Sequence, residues 1–207
     1  MFSILVSGGP VMIPIAICAI IATVIILEKL MFFAAIKKGQ RDLLPRIRAS
    51  IDKGHYDEAA AICDTVDGPV SRLLKTGISY RGYSESDIKE AVINQSSREI
   101  PRLERFLSSL GTIANISTLL GLLGTVTGNI QAFGVLGGMG AMGNPSVLAG
   151  AISEALVTTA AGLIVSIPAI IFYNYFIAEV NRLVTEMEAS VSDLVLLLVS
   201  EKKKHEV

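Results

Sequence analysis

The chain has 207 residues, 51% of them hydrophobic, with a formal net charge of −1. Only 18% are charged, against about 25% in a soluble domain. This excludes a soluble enzyme, a secreted disulfide scaffold and a disordered chain, and no global field draws nucleic acid.

The charge deficit is segregated. Met1 to Leu27 carries no charge, and neither do the 48 residues from Phe106 to Ser153 or the 24 from Ala155 to Ala178. A membrane-spanning helix needs about 20 mostly apolar residues. The pattern therefore predicts an all-α integral membrane protein with three spans and a charged helical region inserted between the first two.

Residues 1–10 form a short tail and residues 11–35 the first span. No positive charge precedes this apolar run and no A-x-A site follows it, unlike a cleaved signal peptide. Glu28 and Lys29 sit near its end, where Lys29 is expected to snorkel to the headgroups. Residues 36–105 read as helical hairpins. Tyr56 to Cys63 is a short amphipathic helix, Asp67-Gly68-Pro69 breaks it, and Val70 to Tyr80 resumes. Ser84 with Asp87 resembles a capping box with Asp in place of Glu. From there to Val135 the only breaker is Pro101, expected to kink the helix without ending it.

The uncharged run after Arg105 would be about 72 Å long as one helix, far beyond a bilayer core of about 30 Å. It must turn back, and Gly137 to Pro145 supplies the turn residues. This gives a second span at 106–136, a short loop at 137–146 and a third span at 147–178. Residues 179–207 continue as a helix. Val180, Leu183, Val184, Met187, Val191, Leu194, Val195 and Leu198 recur at three and four, a stripe that needs a partner helix. Both flanking spans are expected to extend into the charged helical region.

Basic residues set the orientation. Thirteen lie between spans one and two, none between spans two and three, none before span one and four after span three. The N-terminus and short loop are therefore expected outside, and the large insert and C-terminus inside.

Glu154 lies within the third span. An ionisable group there is costly, and faces a bundle interior or a water-filled path. On the second span Gly111, Asn115, Thr118, Leu122, Thr125, Asn129 and Ala132 share one face, four of them polar. On the third, Thr158 follows Glu154 at i+4 and Thr159 is offset toward a neighbouring face. Two polar faces in lipid should turn toward each other or an internal cavity. A second face, with Gly124 and Gly128 on one span and Ala151, Ala155, Gly162 and Ser166 on the other, reads as close packing. Pro168 should bend the third span, and Phe172, Tyr173, Tyr175 and Phe176 form an aromatic belt. No hydrolase, kinase or nucleotide-binding motif is present. Cys18, Cys63, His55 and His205 have no metal-site spacing. No cofactor, metal or enzymatic activity is expected.

Leu119-Leu120-Gly121-Leu122-Leu123-Gly124-Thr125-Val126-Thr127-Gly128, followed by Gln131-Ala132-Phe133, resembles the second-span signature of the MotA/TolQ/ExbB proton-channel family. Ala151 to Leu163, followed by Ile167-Pro168-Ala169, resembles its third-span signature. Gly8-Gly9-Pro10 leading to Glu28-Lys29 resembles its first-span start. Length and span number look like ExbB or TolQ, not the four-span flagellar stator. The resemblance implies a homopentamer in the bacterial inner membrane, with a periplasmic N-terminus and a cytoplasmic C-terminus. It also implies a single-span partner of the ExbD/TolR type with a membrane Asp, and a TonB- or TolA-like protein that receives the work. Matched residue by residue, the pore Thr of span two is Thr125, that of span three is Thr159, and the carboxylate is Glu154. Thr158 is a secondary candidate. Two positions depart from the pattern. Thr118 stands where a Pro is usual, and Asn129 replaces an apolar residue, making the outer pore more polar. The rival readings are a non-conducting membrane scaffold and a stator for gliding-type motility.

Overall fold

The computed structural model describes residues 8–40, 43–139 and 145–205. These form helices α1 (Met12–Gln40), α2 (Leu43–Ile51), α3 (Tyr56–Asp64), α4 (Pro69–Ser79), α5 (Glu85–Glu104), α6 (Leu107–Met139) and α7 (Pro145–His205). Three segments are helical, long and apolar enough to cross a membrane: Met12–Lys37, Glu85–Gly134 and Pro145–Leu198. The turn expected at 137–146 is shorter at its described edges, since α6 runs on to Met139 and α7 starts at Pro145. Its centre lies outside the described residues.

The chain divides into two compact units. One holds the residues up to Glu28 with Phe106–Tyr175, and the other holds Lys29–Arg105 with the chain from Phe176 onward.

In the first unit, α6 and α7 meet through their small residues. Ala114, Ser117 and Ala132 of α6 and Ala155, Thr158 and Ala169 of α7 are at most 4% exposed. A Cβ on Gly162 would lie 2.5 Å from the Ser117 carbonyl oxygen and 2.9 Å from the Gly121 Cα. One on Gly128 would lie 3.0 Å from the Ala151 carbonyl oxygen. Backbone thus lies against backbone, which only glycine permits. Tyr173, expected in an aromatic belt, lays its ring over Gly111, where a Cβ would be 3.1 Å from its Cε2. Pro168 lies inside α7 without ending it.

The second unit follows the sequence pattern closely. Helices α2 to α5 pack pairwise in chain order. Gly68 precedes Pro69, which opens α4 at the position where its missing N–H costs nothing. Ser84 and Asp87 complete the capping box: the Asp87 N–H donates to the Ser84 hydroxyl and the Ser84 N–H to the Asp87 carboxylate. On α7, Val180, Leu183, Met187, Leu194, Val195 and Leu198 are buried, with Leu194 packed over Gly77 of α4. Glu99, 1% exposed, is held by Arg72 at 2.8 Å and by Gln95 at 2.9 Å. Arg72 also pairs with Asp67. Hydrogen bonding to Glu99 raises the Arg72 pKa above its ordinary value.

Two expectations fail here. The helix expected to run unbroken from Ser84 to Val135 stops at Glu104, and Phe106 takes φ 64° before α6 begins. Pro101 does not end the helix. The break coincides with Lys29, whose ammonium donates to the Leu103 carbonyl at 2.9 Å. A continuous helix would give that carbonyl to the Leu107 N–H. Lys29 does not snorkel to a surface either: it is 2% exposed, with Phe32 and Phe33 rings 5.1 and 5.8 Å from its nitrogen. Phe33 in turn stacks on Phe176, which is fully buried.

Two measurements test this packing. Gly162→Ala drives a Cβ into backbone and should cost about 1–3 kcal/mol, read as a lower thermal midpoint in detergent. Gly150→Ala meets nothing within 4 Å, and should be neutral or stabilising. Cys63 supplies the second. Burial, then the Asp64 charge, pushes its thiol from 9.0 up to about 11. The folded state therefore keeps the thiol proton where the unfolded state has released it. Stability contributed here is complete below pH 9.0 and is lost as pH rises to about 11. Alkylation at neutral pH should spare Cys63 until the unit is denatured, as followed by mass spectrometry.

Candidate functional site

The polar residues of α6 and α7 occupy different surroundings. On α6, the packing face runs through Ala114, Ser117, Gly121, Gly124 and Gly128. Asn115, Thr118, Leu122, Thr125 and Asn129 stand roughly a quarter-turn round from it at 3.6 residues per turn. Asn115, Thr118, Leu122 and Asn129 are exposed in the single chain, and Thr125 is half-buried. Apart from Thr118, which reaches Ser166 of α7, the stripe is left uncovered by that helix. Ala132, grouped with that stripe by spacing, is instead buried at 4% exposure.

The hydroxyls of Thr118, Thr125 and Thr159 each have a defined partner, whereas that of Ser117 on the packing face is buried without one. Thr125 donates to the Leu122 carbonyl of its own helix at 2.6 Å. Thr159 donates across to the Gly121 carbonyl at 2.8 Å, and to Ala155 at 3.2 Å. Thr118 donates to the Ser166 hydroxyl at 2.7 Å. The Thr159–Gly121 and Thr118–Ser166 bonds cross between α6 and α7, where lipid offers no partner.

Thr158 and Glu154 look elsewhere. Thr158 is 1% exposed. Its hydroxyl donates to the Gly8 carbonyl at 2.8 Å and to the Glu154 carbonyl at 2.9 Å. Its methyl group sits where a Cβ on Gly124 would have to go, at 2.3 Å. Glu154 is half-buried, with one carboxylate oxygen 1.9 Å from the position a Gly9 Cβ would take. Thr158 is thus enclosed within the chain, and Glu154 lies under the turn that leads into α1. The structure sets Thr159 and Thr118 at the α6–α7 seam, Thr125 and Asn129 outside it, and Glu154 with Thr158 beside Gly8-Gly9. Sequence spacing joined Glu154 with Thr158 but gave no sign of their shared neighbour.

Among the described residues, no group of three or more His, Cys, Asp or Glu could hold a metal ion. In the whole run from 106 to 178 there is one carboxylate, Glu154, and no Lys, Arg or His. Such a wall can solvate and orient a moving charge, but it offers no acid–base pair for bond cleavage.

Residues 65–189 match the model of the MotA/TolQ/ExbB proton channel family. The chain is 30% identical over 171 residues to an ExbB-like biopolymer transport protein of Synechocystis sp., covering 82% of this chain and 81% of that one. It is 28% identical over 215 residues to the biopolymer transport protein ExbB of Neisseria meningitidis, covering 95% of this chain and 96% of that one. A biopolymer transport protein ExbB homolog of Methanothermobacter thermautotrophicus is 27% identical over 183 residues, covering 88% of this chain and 64% of that one. Three apolar helices of spanning length, a lone carboxylate within the third, and these matches agree: the chain is a multi-pass membrane protein of the MotA/TolQ/ExbB proton-channel family, close to ExbB.

Proposed function

We propose that this chain is the channel subunit of an inner-membrane motor that spends the proton motive force to energise a periplasmic or outer-membrane process, and that it is not an enzyme. Five copies surround the membrane helices of a single-span ExbD/TolR-type partner, whose Asp carries the proton. A TonB- or TolA-like protein receives the work. The N-terminus is periplasmic and the C-terminus cytoplasmic, in keeping with the placement of the basic residues.

The observation that carries this reading is the stripe of α6 left largely uncovered by α7, with Thr125 on it, and Glu154, the one carboxylate of residues 106–178. Hydroxyls both donate and accept. Thr125 and Thr159 can therefore meet the partner's carboxylate when ionised and its carboxylic acid when neutral, without rebuilding the site. Glu154 shapes the field along the path. A charge at this depth is retained only where it faces protein or water. Asn129 extends the polar stripe outward, and Thr118 ties the inner half of α6 to α7.

Proton flux into liposomes tests the proposal. The chain with an ExbD-type partner should conduct, and the chain alone should stay near background. Glu154→Gln and Thr125→Val should each lower partnered flux roughly tenfold, the scale of one lost hydrogen-bonding group at about 1.4 kcal/mol, with normal insertion. Strong flux without a partner, or wild-type flux in both variants, would contradict it.

A further inference from the structure

The turn before the first span lies directly on the candidate carboxylate. Gly8 is buried, and its carbonyl accepts the Thr158 hydroxyl bond from 150 residues away. Gly9 follows with φ +67°, a conformation L side chains rarely adopt. Pro10 and the first turn of α1 come next, with the Met12 N–H closing back on the Gly9 carbonyl at 3.1 Å. A side chain on Gly9 would place its Cβ 1.9 Å from Glu154 Oε1, when real Cβ atoms essentially never come closer than 3.0 Å. Any residue but glycine would push the carboxylate away by about 1 Å or more. A Cβ on Gly8 would lie 3.2 Å from the Thr158 hydroxyl and 2.4 Å from the Met12 side chain.

The carboxylate therefore sits at the entrance to α1. The first N–H groups of a helix lack intrahelical partners, and the helix dipole there favours a negative charge.

We infer that Gly9 is a positioning residue for Glu154: the Gly8-Gly9 turn, fastened by Thr158, holds the Glu154 side chain under the N-terminal end of α1. This rests on the reading of Glu154 as part of the proton path. The first span then acts on that path without lining it, because a shift of its N-terminal end displaces the carboxylate.

The experiment uses the full chain in liposomes. Dicyclohexylcarbodiimide is apolar and modifies membrane carboxyls that it can reach. The Gly8-Gly9 turn covers Glu154, and the rate on Glu154 is read by mass spectrometry. Gly9→Ala should expel the carboxylate from beneath the turn and speed labelling several-fold. Thr158→Val, which keeps the side-chain shape and frees the turn, should change the rate in the same sense. With the partner present, Gly9→Ala should lower flux roughly ten- to a hundredfold, up to the scale of an ångström misplacement, and shift the pH midpoint of flux. Glu154→Asp, a methylene shorter, should recover part of that flux in the Gly9→Ala background. Unchanged labelling in both Gly9→Ala and Thr158→Val overturns the inference, as does an equal loss of flux from Gly9→Ala when Glu154 is already replaced by Ala. If labelling responds to Gly9→Ala but Glu154→Gln conducts normally, the positioning stands and the path reading falls.

Discussion

Two helices in lipid gain nothing from hydrophobic burial against each other, because the tails around them are just as apolar. α6 and α7 can be held only by close contact and by hydrogen bonds that lipid cannot supply. The chain meets this with glycine. Gly121, Gly128 and Gly162 bring backbone to backbone, Gly124 makes room for the Thr158 side chain, and Thr159 and Thr118 then reach acceptors on the other helix. The seam fixes which face of α6 is used up. What remains, roughly a quarter-turn away, is the row of Asn115, Leu122, Thr125 and Asn129, with Thr118 at its border with the seam.

The same economy explains the single carboxylate. Each charge in a span is costly, and the chain retains one in residues 106–178, seated beneath a glycine turn at φ +67°. In the second unit charge is plentiful, but the buried members are still held. Lys29 is spent on the Leu103 carbonyl beside two aromatic rings, and Glu99 is held between Arg72 and Gln95. Breaking such a buried pair costs far more than forming it gains. The Lys29 contact marks the place where α5 stops and α6 starts as a separate helix.

Local signals in the sequence proved dependable. The spans, the Asp67-Gly68-Pro69 break, the Ser84–Asp87 capping box and the apolar stripe of α7 are set by neighbours within four residues, or by bulk hydropathy. The small-residue faces were readable too, since close packing is their ordinary meaning. The misread features are long-range. The break at Arg105–Phe106 coincides with Lys29, 74 residues from the carbonyl it takes. Pro101, the local breaker, lies inside α5. The enclosure of Thr158 and the cover over Glu154 come from Gly8 and Gly9, at the other end of the span region. Helical spacing could align Glu154 with Thr158, but it could not say what they face.

The central claim is that α6 has one dry face spent on α7 and one polar face left largely uncovered by it, the face proposed to meet water and the partner. Single cysteines placed along α6, exposed to a membrane-impermeant thiosulfonate in the assembled complex, test it directly. The account predicts labelling at Asn115, Leu122, Thr125 and Asn129, and protection at Ala114, Ser117, Gly121 and Gly128, repeating at the helical period of 3.6 residues. Labelling that ignores this period, or that favours the glycine face, would contradict it.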